Sequence, residues 1–178
     1  NKFRKSIMEN NDKIFIKRTI ELAKRAAATD EVPVGALITY ENEVIAEAFN
    51  QKESKKNPLL HAEIIAIEKA SQRLSSWRLK DCTLYTSLEP CLMCTGALIQ
   101  ARVKRIVFAT DDLKGGACGG VLSLHNDKRL NHQIEVSSGL LKEESQKILK
   151  DFFYQKRNKK QTTTLKVKEK KQSSAKLT

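Results

Sequence analysis

Cys82-Thr83-Leu84-Tyr85-Thr86-Ser87-Leu88-Glu89-Pro90-Cys91-Leu92-Met93-Cys94 reads as a strand that turns directly into a helix. Cys82–Leu88 has the apolar content of a buried strand, and proline is favoured at a first helical position, so Pro90 is expected to open a helix to about Ala101. Working outward, a helix is expected upstream from about His61 to Ser75, its core face Ile64, Ile67, Ala70 or Ser71, and Leu74. Downstream, Val103–Ala109 is a second continuous apolar strand. Strand, helix, strand in this order implies a parallel pair with a crossover helix.

The flanks extend the pattern. Asn11 is a candidate N-cap for a helix to about Ala28 that carries Ile16, Ile20, Ala23 and Ala27 on one face. Two strands, Val34–Thr39 and Val44–Phe49, follow around a turn at Tyr40–Asn42. Beyond the Gly-rich loop Lys114–Gly120 come a short strand, Gln133–Ser137, and a closing amphipathic helix, Leu140–Gln155, with Leu141, Ile148 and Phe152 inward. The expected fold is α/β: a three-layer α-β-α domain with a mixed five-stranded sheet, parallel after its opening hairpin.

The 178 residues suffice for one domain with a real core. The expected division is an N-terminal extension at 1–11, the domain at 12–157 and a basic, disordered tail at 158–178. No apolar run is long enough to span a membrane, and residues 1–12 lack the apolar segment of a secretory signal. Met8 is a candidate native start. The net charge of +12 is unevenly placed. From Lys156 onward nine Lys or Arg face a single acid, Glu169, so that segment holds about +8 of it. Such a tail can follow a phosphate backbone without sequence choice, or it can simply solubilise a disordered end.

Cys91 and Cys94 lie three apart on one helical turn, so their sulfurs face the same way, at a helix N-terminus that favours thiolate. His61, opening the facing helix, supplies a third ligand. Three protein ligands leave one tetrahedral position for water, which marks a catalytic zinc rather than a structural one. Glu63, two residues after His61, projects beside the metal and can move protons to and from that water. Two other readings stay open at this point. Cys91 and Cys94 can form a redox dithiol, or Cys82 or Cys118 can complete a closed structural zinc. Cys82 is otherwise a buried small hydrophobe and Cys118 a partly exposed thiol. His125 and His132 read as ordinary hydrogen-bonding histidines.

H-x-E followed by P-C-x-x-C is the combination found in zinc deaminases of nucleobases. The likeness narrows with Glu31-Val32-Pro33-Val34-Gly35-Ala36, Asn50, Leu88–Cys94, Gly96-Ala97, Asp112, Lys114, Gly116-Ala117, Asn131-His132 and Asp151-Phe152-Phe153. Over residues 12–157 the chain resembles the tRNA-specific adenosine deaminases of bacteria and organelles, within the cytidine deaminase-like superfamily. The resemblance implies one Zn2+ per subunit, a homodimer in the cytoplasm or an organelle, and no membrane. It implies hydrolytic conversion of the wobble adenosine of a tRNA anticodon stem-loop to inosine. By position, Asn50 would bond the base edge and Val32 would pack on it. The backbone amides of Ala62 and Cys91 would line the pocket, Asp112 would touch a neighbouring sugar, and Phe153 would shape the anticodon groove. Without the resemblance Asn50 reads as a turn residue, Asp112 as a loop cap, and Val32 and Phe153 as core. Leu59-Leu60, Asp111, Cys118 and Gly120 depart from the family pattern near the pocket rim and the Gly-rich loop. The competing reading is a zinc deaminase of a free base or nucleotide, guanine or cytosine, which would have no phosphates to meet the basic tail.

Overall fold

The computed structural model describes the backbone of residues 2–175 and the side chains of residues 10–159. The elements run α1 Lys2–Ala28, β1 Gly35–Tyr40, β2 Glu43–Phe49, α2 Lys52–Lys55, α3 Ala62–Arg73, β3 Thr83–Leu88, α4 Leu92–Gln100, β4 Arg105–Thr110, a 3-10 turn Leu124–Asn126, β5 Glu135–Ser138 and α5 Lys142–Ala175. The sheet order is β2-β1-β3-β4-β5. β1 is antiparallel to β2 and β3, while β3/β4 and β4/β5 are parallel. The expected mixed five-stranded sheet is therefore present.

Alternation along the central strands builds two cores. Ala36 and Ile38 of β1, Leu84 of β3, and Ile106 and Phe108 of β4 join Ile65, Ala66, Leu98 and Ile99 of α3 and α4 on one face. Leu37, Tyr85, Val107 and Ala109 point the other way, onto Ile16 and Ile20 of α1 and Ile148 of α5. Successive residues of a strand face opposite sides, so a sheet buried on both faces needs apolar residues at every position. The β1–β2 turn is the two residues Glu41 and Asn42, both at positive φ, the geometry whose twist matches a hairpin. At Gly35 a Cβ would lie 2.2 Å from the Thr19 carbonyl oxygen and 2.5 Å from Leu22 Cβ. Only glycine lets α1 pack that close.

A buried polar cluster fixes α1 to the sheet. Arg105 on β4 donates to both Asp12 carboxylate oxygens at 2.8 and 2.7 Å, and the Tyr85 hydroxyl donates to Asp12 Oδ1 at 2.8 Å. Arg105 also donates to Ser137 Oγ of β5.

Several boundaries differ from the sequence reading. α1 runs through Asn11, because the polar residues before it continue a helix as readily as they cap one. Pro90 precedes the helix rather than opening it: Cys91 is the N-cap of α4, and Leu92 its first residue. The buried stripe of α3 is Ala62, Ile65, Ala66 and Ala70, with Ile67 and Leu74 on its flank. Alanines allow close approach to the sheet, and the rotation that buries Ala66 and Ala70 also turns Glu63 inward. The short α2 was not anticipated. The closing helix extends past Gln155, and the tail expected at 158–178 falls mostly on side chains outside the described residues.

Candidate active site

β3 and β4 are parallel, so their carboxyl ends open on the same edge of the sheet, where α3 and α4 also begin. That arrangement is where α/β sheets place ligands. His61 is the N-cap of α3 in extended conformation (φ −73°, ψ 151°), and Cys91 holds the same place on α4 (φ −73°, ψ 175°). His61 Nδ1 lies 3.7 Å from the sulfurs of both Cys91 and Cys94. The three ligand atoms all fall within 4.8 Å of one another and form a group able to hold a metal ion. The donor set, one imidazole and two sulfurs with an open side, suits a catalytic zinc. Neither Cys82 nor Cys118 joins it, so a closed four-ligand site has no fourth donor among the described residues. Cys118 is buried rather than partly exposed; its thiol sits 3.3 Å from Thr95 Oγ1, and burial pushes it up to about 12. Burial likewise pushes Cys82 up to about 11. His132 meets the Val103 carbonyl at 2.7 Å, as expected of a structural histidine.

Contact with the Cys94 sulfur, then with His61, pulls Cys91 down to about 4, in the thiolate form that binds metal. Glu63 is 3% exposed, and its Oε2 is one of the few buried polar atoms without a hydrogen-bond partner among the described residues. Desolvation pushes its carboxyl up to about 7. A buried, proton-ready carboxyl beside three metal-type donors is the arrangement of a general acid–base.

His61, Glu63 and Cys91 form the floor of a cavity of about 180 Å³, whose lining also includes Val32, Asn50 and Asp112. The expected positions Val32, Asn50 and Asp112 thus converge with the metal group. Asn50 is already a clasp: its Nδ2 donates to the Val32 carbonyl at 3.1 Å, and its Oδ1 accepts from Ala62 N–H at 2.8 Å. Ala62 is fully buried, and its N–H is therefore turned to Asn50. Phe153 stands apart, in a wider groove of about 640 Å³ next to the cavity, with Leu113, Leu149, Lys150 and Arg157. Val32, Leu88 and Asp112 line both spaces.

Three cavity residues were given no role by the sequence reading. Glu31 is buried and accepts from Glu53 and Ser54 N–H at 3.0 and 2.7 Å, tying α2 to the Val32 turn. Glu89 is buried and accepts three backbone N–H groups of the segment after β4, those of Asp112, Cys118 and Gly120. Lys52, at the start of α2, is the one lysine of the lining. A signal for Glu89 was present: a glutamate directly after an apolar strand, where burial demands a partner.

A family model described as MafB19-like deaminase matches residues 9–157. The tRNA-specific adenosine deaminase of Bacillus subtilis (strain 168) is 43% identical over 149 residues, covering 84% of this chain and 92% of that protein. The chain belongs to this deaminase family. A solved structure from a study of A-to-I editing by tRNA:A34 deaminases superposes at TM-score 0.72 and 36% identity, covering 76% of this chain and 98% of that one. A guanine deaminase from Bacillus subtilis is 39% identical but covers 60% of this chain and 69% of its own, at TM-score 0.55. The likeness to the tRNA enzyme thus extends over more of both chains than the likeness to this guanine deaminase does. No helix among the described residues is long and apolar enough to cross a membrane.

Proposed function

We propose that this deaminase hydrolyses the wobble adenosine of a tRNA anticodon loop to inosine, with Zn2+ held by His61, Cys91 and Cys94. The observation that carries this reading is the unpartnered Glu63 oxygen buried beside the three converging donors, in a chain 43% identical to a tRNA-specific adenosine deaminase. When bound there, zinc supplies Lewis-acid chemistry that lowers the pKa of a water toward neutrality. The residues then divide the remaining work. Glu63 takes a proton from the water and returns it to the departing amine, so adenosine plus water gives inosine plus ammonia. Asn50 has a second N–H and a second lone pair beyond its clasp and offers both to the base edge. Val32 packs on the base, Asp112 meets a neighbouring sugar, and Ala62 acts through Asn50 rather than directly. Phe153 and its groove receive the flanking nucleotides. A loop base already out of its stack costs little to extrude into so small a cavity.

The same reading makes the working unit a homodimer in a reducing cytoplasmic or organellar compartment. Exposed Leu59 and Leu92, beside the metal-site residues in sequence, are apolar surface that a second copy would cover. All four cysteines are free. The test is inosine formation on an anticodon stem-loop with adenosine at the wobble position, with adenine, guanine and cytosine in parallel. Inosine from the stem-loop alone, lost on chelation, is the expected result. Ammonia from guanine with the stem-loop untouched would replace the substrate and leave the zinc chemistry standing.

A further inference from the structure

Glu89 is fully inside the protein, lines the catalytic cavity, and has no part in the chemistry described above. Its backbone N–H donates to the Thr110 carbonyl at 2.8 Å and so carries the β3–β4 pairing one step further. Its side chain does something different. Oε2 accepts from Asp112 N–H at 2.9 Å, while Oε1 accepts from Cys118 N–H at 2.9 Å and Gly120 N–H at 2.8 Å. All three donors belong to the loop that leaves β4, and this loop lies against the Cys91 turn. Ala117 N–H donates to the Pro90 carbonyl at 3.0 Å, and Gly116 bridges to Cys91. The loop makes room for the carboxylate by lacking side chains. A Cβ at Gly116 would sit 2.2 Å from Glu89 Oε2, and one at Gly120 2.5 Å from it.

We infer that Glu89 is a positioning residue for the deamination: its carboxylate pins the 112–120 loop and thereby sets Asp112 on the wall of the cavity above Cys91. Asp112 is oriented in turn, because its Oδ1 accepts from Lys114 and Gly115 N–H at 3.0 and 3.2 Å. The carboxylate thus acts through Asp112, and its effect falls on substrate capture before chemistry. This rests on the stem-loop being the substrate.

Glu89→Gln is the sharpest variant. An amide keeps one acceptor oxygen and turns an N–H2 toward whichever loop donors it does not serve, so either Asp112 or the Cys118/Gly120 pair loses its acceptor. The expected result is a KM for the stem-loop raised about tenfold, with kcat within about twofold and metal content unchanged. In a Glu63→Ala background, stem-loop Kd should weaken by the same factor, which reads the effect without turnover. Gly120→Ala attacks the clasp from the other side, since its Cβ would crowd both Glu89 Oε2 and the Asp112 carbonyl. It should raise KM similarly, and the double variant should be no worse than the stronger single one, as coupled neighbours are. An unchanged KM and Kd in both variants would overturn the proposal. So would a fall in Tm with kcat reduced and KM untouched, the mark of a structural contact alone. Wild-type protein that leaves the stem-loop unmodified but deaminates guanine would instead remove the functional reading on which this one stands.

Discussion

The floor and the wall of the cavity are built by different means. His61, Glu63, Cys91 and Cys94 are placed by short spacings at two helix N-termini, so three or four residues of sequence settle each pair. Asn50, Glu31, Glu89 and Asp112 are placed by hydrogen bonds that join segments 12 to 31 residues apart. The floor is local and chemical, while the wall is tertiary and mechanical. Damage to the floor should therefore stop the reaction, and damage to the wall should loosen substrate and fold while the chemistry persists.

The largest effect belongs to the floor. Glu63→Ala should lower kcat by at least about 10²–10⁴, the usual worth of a positioned acid–base, while metal content stays at the wild-type value. Inosine assays paired with metal analysis would decide this, and near-normal turnover would remove Glu63 from the mechanism. Cys94→Ala should abolish turnover through another route, by losing the metal itself. Because metal binding couples to folding, its Tm should fall and should cease to respond to chelator, whereas wild-type Tm should drop on chelation.

The contrast also explains what could be read in advance. The order of strands alternating with helices announced a sheet covered on both faces, and H-x-E with P-C-x-x-C announced the metal group. Both are periodic or short-range signals. The rotation of α3 was missed because Ile64, Ile67 and Leu74 form as apolar a stripe as Ala62, Ile65, Ala66 and Ala70. Only the packing against β1 and β2 separates the two. Glu31 was opaque for a similar reason, and Glu89 was legible only as a buried charge in need of partners: a glutamate shows its charge in sequence, but the backbone N–H groups that neutralise its burial come from elsewhere in the chain. Asn50 shows both sides of this. Its turn-like position was legible, yet its grip on Val32 and Ala62 was not.

Asn50 consequently offers the best wall test. Asn50→Ala leaves the Ala62 N–H and the Val32 carbonyl buried without their partner, at a cost of about 1–3 kcal/mol in urea denaturation. Asn50→Asp keeps the acceptor for Ala62 and loses the donor to Val32, so it should recover part of that stability but little of the kcat/KM. Equal recovery of both would make Asn50 a clasp with no share in base recognition.

Glu31 should act mainly through stability and pH. Burial works against its charge, but the Glu53 and Ser54 N–H groups and Lys52 hold its pKa below the usual 4.5. A carboxylate depressed in the folded state contributes stability that is fully present above about pH 4.5 and is lost as pH falls through the folded value. Glu31→Gln should flatten the acid limb of a stability-versus-pH curve by about one proton's worth of slope, with kcat near wild type at neutral pH. An unchanged acid limb would mean the α2 clasp draws nothing from the charge.

Lys52 should give the smallest effect and the most informative one about substrate. Four carboxyl-bearing residues, Glu31, Glu63, Glu89 and Asp112, line a space that a polyanion must enter, and Lys52 is the lysine set among them. Its ammonium is held only loosely, 3.9 Å from Glu53. A cation at that place suits a phosphate next to the extruded nucleotide, where it offsets the surrounding negative charge. Lys52→Ala should therefore weaken stem-loop binding a few-fold and reduce the slope of log K against log salt by about 0.7, the release expected for one phosphate contact on single-stranded nucleic acid. Glu31 and Lys52 are neighbours, so the salt slope separates them: Glu31→Gln should leave it alone. A salt slope unmoved by Lys52→Ala would place the phosphates outside the cavity, along the Phe153 groove with Lys150 and Arg157, and the wall would then recognise the base and sugar alone.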